Sequence, residues 1–295
     1  MKHLVGLLSA VFWSLSFVFT KQLLIYMTPI EVVFYRYLLA GIFYRFMLRN
    51  KTNNWTKEEK KTLIVSALLG ITIYPIMACY SVSYISASFA GILNGTIPML
   101  TILGERFFRG KSLTKRTIMA LLISLIGIAL LTGESETSKA PLLGAALMIL
   151  SLVAWVIFTF INEKLFVRHT SLEILTYECL IGSIVMTPLV IFSKETLIRQ
   201  INLFTNMSVV GNMIVLAFLV SGCGYLCYMY GLKHLGVAYM SFVMNLLPVF
   251  SVISAVILIH EPIYTKDVIA LILISSSVVL MTKKKKTDLV YNQVP

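Results

Sequence analysis

Residues 28–41 read TPIEVVFYRYLLAG, and residues 170–183 read TSLEILTYECLIGS. Laid on one another, Thr28 falls on Thr170, Glu31 on Glu173, Tyr35 on Tyr177 and Leu38 on Leu180. The register, a shift of 142, runs back without a gap through Leu23/Leu165, Trp13/Trp155, Val11/Val153, Ser9/Ser151 and Leu8/Leu150, giving nine identities over residues 8–41. At a shift of 150, residues 84–132 fall on 234–282 with Pro98/Pro248 and Thr132/Thr282 in register. The eight-residue difference is absorbed near 49–61 and 193–209. The chain is therefore predicted to be two copies of one unit, residues 1–138 and 139–295.

Composition says what the unit is made of. Of 295 residues, 58% are hydrophobic and 13% charged, against about 25% charged in a soluble domain. Apolar stretches run near 4–25, 29–48, 62–82, 85–107, 117–133, 142–163, 172–192, 210–231, 236–259 and 266–282. Each is long enough for a hydrocarbon core of about 30 Å. These predict an all-α integral membrane protein of ten transmembrane helices, with no soluble domain. The first stretch has no small-residue cleavage site and reads as a retained helix.

Five spans per half is an odd number, so the two copies must enter the membrane from opposite sides. The result is an inverted repeat about an axis in the membrane plane, an architecture suited to alternating access. The net charge of +12 suggests nucleic acid, but its distribution argues against that partner. With the N-terminus inside, 18 basic residues fall on the inner side and five (Lys21, Lys139, Lys194, Arg199 and Lys266) on the outer. That asymmetry predicts both termini inside, with the KKKK run at 283–286 held against anionic lipid. Arg45 and Arg49 snorkel toward the inner interface. Cys79, Cys179, Cys223 and Cys227 all fall in predicted spans and read as small buried hydrophobes.

Two glutamates are removed from the list of charges free to act. Thr28–Glu31 and Thr170–Glu173 each have capping-box spacing, which satisfies N–H groups at a helix start, and Pro29 suits a first helical position. Arg36 lies eight residues past Thr28, about 12 Å into the helix. A charge near the bilayer centre costs roughly 2.5–3.5 kcal/mol on insertion scales, so Arg36 should face protein or water. Its mate in the repeat is Glu178. A positive and a negative group at mirrored depth are the candidate gating or coupling pair, joined directly or through water, and the sequence leaves open whether they touch.

The order of features resembles the EamA branch of the drug/metabolite transporter superfamily. The residues that carry the resemblance are Trp13, Phe17 and Lys21 in the first helix and TP at 28–29 with Arg36 in the second. Pro98 and Pro248 in the fourth and ninth, and Glu261 closing the ninth, complete it. Lys111 stands where the first half would match Glu261, a departure from that pattern. The resemblance implies transport of a small organic metabolite, such as an amino acid or a related solute. The route would be a central cavity lined by helices one, three, four, six, eight and nine. Small multidrug resistance relatives place a carboxylate eight residues before a first-helix lysine. Here that position is Trp13, which cannot carry a proton.

Mid-span residues of both halves supply the rest of the expected cavity, with Trp13/Trp155 and Pro98/Pro248 in register. They are Trp13, Phe17, Tyr74, Tyr80, Asn94, Pro98, Trp155, Tyr225, Tyr228, Asn245 and Pro248. Proline frees a backbone carbonyl, and asparagine at mid-span offers a hydrogen bond to solute or to a neighbouring helix. SGCGY at 221–225 could permit a hinge. No catalytic constellation, metal-ligand spacing or phosphate-binding loop is visible, so neither enzyme activity nor a cofactor is expected. The expected partners are a solute and the lipid bilayer, with the chain a monomer or weak homodimer in a cell membrane, a bacterial inner membrane in particular. The rival readings are a lipid-linked flippase and a non-transporting membrane subunit.

Overall fold

A computed structural model describes residues 2–48, 55–110, 112, 115–132, 140–192 and 203–282. The KKKK run and Lys111 lie outside the described residues. Among those described there is no β-strand. The helical segments are α1 (Lys2–Leu23), α2 (Pro29–Met47), α3 (Lys57–Tyr84), α4 (Ala87–Arg109), α5 (Lys115–Thr132), α6 (Pro141–Leu165) and α7 (Ser171–Ile191). A further run, Met207–Ser241, breaks at Gly236 (φ 82°, ψ 167°). We therefore count α8 as 207–235 and α9 as 237–259, followed by α10 (Thr265–Thr282). Six helices are long and apolar enough to cross a membrane, and shorter apolar helices cover 118–131 and 244–259. The chain is thus an all-α, multi-pass membrane protein.

Local chemistry sets the helix starts. The Thr28 and Thr170 amides each donate to the carboxylate three residues on (2.8 and 2.9 Å), and the Glu31 and Glu173 amides return bonds to the threonine hydroxyls. Both capping boxes form as the sequence predicts. A third, Thr56–Glu59, opens α3. At the far ends of α4 and α9, Gly110 (φ 68°) and His260 (φ 50°) both turn into the left-handed region. These positions differ by 150, the shift that aligns the two halves.

Each helix of the first half packs on one of the second. Gly41 in α2 meets Cys179 and Leu180 in α7, and Gly95 in α4 meets Pro248 in α9. Gly224 in α8 lies under Trp13 of α1, and Gly70 in α3 lies under Phe158 of α6. Ser124 and Ser277 share a hydrogen bond of 2.6 Å between α5 and α10, where Gly127 also meets Ile274. The halves interlock rather than standing as separate bodies. Of the four cysteines, Cys79 and Cys179 are buried and Cys227 is partly so. Cys223 is exposed, contrary to expectation. Its neighbours on the wide turn, Ser221 and Gly222, face protein, so the turn directs Cys223 outward.

Helices α3 and α8 are π-wound over 68–73 and 215–224. A π segment widens the turn, and its carbonyls keep a second lone pair for donors from outside the helix. In α8 other helices take them up. The Trp13 indole donates to the Val220 carbonyl (3.2 Å), and the Tyr44 hydroxyl reaches the carbonyls of Ser221 (2.5 Å) and Gly222 (2.7 Å).

Candidate functional site

Arg36 is buried on α2, 8% exposed. Its Nε donates to the Ser221 hydroxyl of α8 and its Nη1 to the Ser16 hydroxyl of α1 (3.1 Å). The guanidinium also lies 5.2 Å from the centre of the Tyr37 ring. Beside it is a cavity of about 30 Å³, room for one or two waters. Ser16, Thr20, Arg36 and Tyr74 give the wall its polar groups, while Phe17, Val32, Pro75 and Val82 are among its apolar ones.

Glu178 is wholly buried on α7. One carboxylate oxygen accepts from the Ser66 hydroxyl of α3 (2.5 Å) and from the Asn162 amide of α6 (3.1 Å). Asn162 also donates to Ser66 (2.7 Å), which closes a three-membered polar cluster. Arg36 and Glu178 do not touch. Each charge sits on hydroxyl and amide groups supplied by two other helices, and each is bound to one helix of its own half and one of the other. The physical reason is packing. A side chain on α2 points toward α1 and α8, and its mate on α7 points toward α6 and α3.

The aromatic residues meet, but as a packed centre rather than an open cavity. Trp13 and Trp155, mates in the repeat, lie edge to face at 5.1 Å. Tyr228 tilts against both at 4.8 and 5.0 Å, and Tyr225 is edge-on to both at 5.0 and 5.7 Å. Tyr74 closes on Trp155 at 4.9 Å while also lining the Arg36 cavity. Edge-to-face geometry at these distances is what ring quadrupoles favour, so the rings fill the space between the halves. Phe17 lines the Arg36 cavity as well. Tyr80 does not belong here. It is 37% exposed on α3.

Asn94, Pro98, Asn245 and Pro248 mark matching breaks. Helix α4 is interrupted at Gly95 and Thr96 before Pro98, and α9 tightens into a 3₁₀ turn over Met244–Leu246 before Pro248. The Asn94 amide donates to the Ala90 carbonyl (2.9 Å) and contacts the Met148 sulfur (3.7 Å). It therefore joins α4 to α6 and does not face the cavity. Asn245 has a carbonyl oxygen with no hydrogen-bond partner.

Ion pairs close both ends of α4. Near its start the Lys21 ammonium stands 3.7 Å from Glu261, whose other oxygen accepts from the Ser88 amide (3.2 Å). At its end, Arg109 pairs with Glu163 of α6 (2.5 Å) and Glu105 (3.3 Å). Lys21 and Glu163 are mates at the shift of 142, so the repeat carries opposite charges at this place. Among the described residues no group of three His, Cys, Asp or Glu is placed to hold a metal.

The model of the EamA-like transporter family matches the chain in two stretches, residues 1–133 and 142–283. The chain belongs to this family. An uncharacterized transporter of Archaeoglobus fulgidus is 23% identical over 285 residues, spanning 96% of this chain and 99% of its own. An uncharacterized transporter of Clostridium kluyveri is 23% identical over 299 residues, spanning 96% and 94%. The transporter YetK of Bacillus subtilis, also uncharacterized, is 23% identical over 238 residues, covering 79% and 71%. A solved crystal structure shares the fold with a TM-score of 0.70 at 16% identity, over 95% of this chain and 96% of that one.

Family and relatives alike support a membrane transporter for this EamA-like chain. Its site includes residues that sequence reasoning missed. Ser16, Ser66, Asn162 and Ser221 hold the two buried charges, and Arg109 with Glu163 closes one end. Extending the shift of 142 to residues that differ, Lys21/Glu163 and Thr20/Asn162, would have found two of them. Serine among apolar residues gave no such signal.

Proposed function

We propose that the chain is a secondary carrier that moves a small organic solute by alternating access between two inverted five-helix halves, with both termini inside a cell membrane. The observation that carries this is an ion pair at each end of α4, in which the mates Lys21 and Glu163 carry opposite charges. Lys21–Glu261 would hold one entrance shut and Arg109–Glu163 the other, so that opening one leaves the other closed. Support for the inverted repeat comes from contacts that exchange under the shift of 150. Ser124 touches Ser277 while Gly127 meets Ile274, and each contact is the mate of the other, the signature of a two-fold relation. The Trp13–Trp155 contact between mates supports an axis through the aromatic centre. Arg36 and Glu178 would clasp the halves across that axis, and Tyr74, Trp155 and Tyr228 would part when the solute enters.

Counterflow in vesicles holding purified protein tests the carrier. Amino acids and related solutes should exchange across the membrane. Cysteines placed at 21 and 261, or at 109 and 163, should stop exchange when cross-linked and restore it on reduction. Exchange that continues with both ends cross-linked would sink the reading.

A second reading, carriage of a lipid-linked molecule, is favoured by a groove of about 680 Å³ between α1, α7 and α8, walled by Val5, Leu172, Leu226 and Tyr230. It predicts transfer of a labelled lipid between leaflets, and no exchange of water-soluble solutes.

A further inference from the structure

We infer that Arg36 is the binding residue for a carboxylate on the transported solute, so that the cargo is a small organic monocarboxylate. The inference rests on the carrier reading above and adds the chemistry of its cargo. A guanidinium carries five N–H donors and keeps its charge in proteins. The structure gives Arg36 two hydroxyl acceptors, Ser16 and Ser221, and the face of Tyr37. None of these carries a negative charge.

The carboxylates that could have neutralised it are committed elsewhere. Glu31 caps α2, Glu178 is bound to Ser66 and Asn162, Glu261 lies against Lys21, and Glu163 lies against Arg109. Among the described residues no carboxylate forms an ion pair with Arg36. A charge buried in this way is retained when it is paired or when it works.

The cavity shows where the missing anion would go. Arg36 is part of its wall, with the Tyr74 and Thr20 hydroxyls alongside and valine, alanine and proline completing it. A guanidinium fork fits a carboxylate with two parallel bonds. One cation balances one negative charge, which suits a monocarboxylate better than a phosphate. The apolar wall suits a short hydrocarbon body, and an organic cation would meet Arg36 as a like charge. At about 30 Å³ the cavity holds only water in this conformation, so binding must widen it. The route is the parting of Tyr74 from Trp155, the two rings that stand between the cavity and the aromatic centre.

The test uses the full-length protein in nanodiscs, titrated with butyrate, isovalerate and phenylacetate and with the three matching amides. Melting temperature and tryptophan fluorescence are read. The expected result is a saturable response to at least one acid and a response at least tenfold weaker to its amide. Arg36→Gln should abolish the acid response, and Arg36→Lys, which keeps the charge and loses the fork, should weaken it severalfold. If Arg36→Gln does not fold, Ser16→Ala carries the test. It leaves the guanidinium in place but frees one arm, and acid affinity should fall while any amide response stays unchanged. Equal responses to acids and amides, no response to any of the three acids, or an acid response that survives Arg36→Gln would overturn the proposal. Counterflow of an uncharged solute by the same preparation separates the two failures, since it would uphold the carrier while the titration refutes the anion.

Discussion

Arg36 and Glu178 stand at matching places in the two halves, and each is held by a helix from either half. Arg36 lines a cavity. At the shift of 142, Ser16 of the Arg36 cluster corresponds to Phe158, and Thr20 corresponds to Asn162. On the Arg36 side, Ser16 and Thr20 are small and leave space. On the Glu178 side, the Phe158 ring fills that space so fully that Gly70 has no room for a Cβ, and Asn162 bonds the carboxylate directly. One scaffold thus supplies a site in one half and a sealed strut in the other. Two side chains on the matching helices, α1 and α6, decide which is which.

The largest expected effect comes from breaking the strut. Phe158→Ser gives α6 the residue that α1 carries and should cost about 3–5 kcal/mol, as removal of a buried phenyl ring does. Thermal unfolding in detergent measures it. A loss under about 1 kcal/mol would mean that Phe158 does not fill the second half. Its counterpart, Ser16→Phe, should fill the Arg36 cavity at about 1–3 kcal/mol of overpacking. The same variant should lower solute exchange at least tenfold, and exchange near wild-type rate would show that this cavity is not on the path.

Smaller changes sharpen the contrast. Asn162→Ala leaves Glu178 with Ser66 as its one donor and should cost about 1–3 kcal/mol, the range for an under-satisfied buried polar group. Glu178→Gln keeps an oxygen for both donors and should retain most of the exchange that Arg36→Gln loses. If both variants lose exchange equally, the two clusters share one role and the contrast fails. Lys21→Ala should change stability least, by about 0.2–1 kcal/mol, because its ammonium is one-third exposed and such pairs are weak. Its effect should appear in the exchange rate, and Lys21→Glu with Glu261→Lys should restore what either single change removes.

Much of the architecture was legible before any coordinates, for local reasons. Helix starts at Thr28 and Thr170 are written in four residues each, because a capping box is satisfied within one turn. The breaks before Pro98 and Pro248 are equally local, since proline removes its own N–H. The membrane class follows from apolar length, and the doubling of the chain follows from nine identities in one register.

The candidate site was less legible. Arg36 stood out, as any charge in an apolar run does, and Glu178 followed as its mate. Their contact did not follow, because mirrored depth does not fix direction around a helix. Tyr80 looked like Tyr74 in sequence, yet Tyr74 lines the Arg36 cavity and Tyr80 is exposed. Trp13 and Trp155 were matched by the repeat, and only packing made them touch.

By itself, then, the sequence determined that this is a helical membrane chain made twice over, with capped helix starts and a charge at mid-span in each half. Apolar length, capping and repetition are properties of neighbouring residues, and they survive without tertiary contacts. The tertiary structure decided what each buried charge is bound to, that the two halves interlock helix by helix, and that one half keeps a cavity where the other is filled. Those outcomes depend on which side chains from distant segments occupy the same few cubic ångströms, and close packing settles that for the whole chain at once.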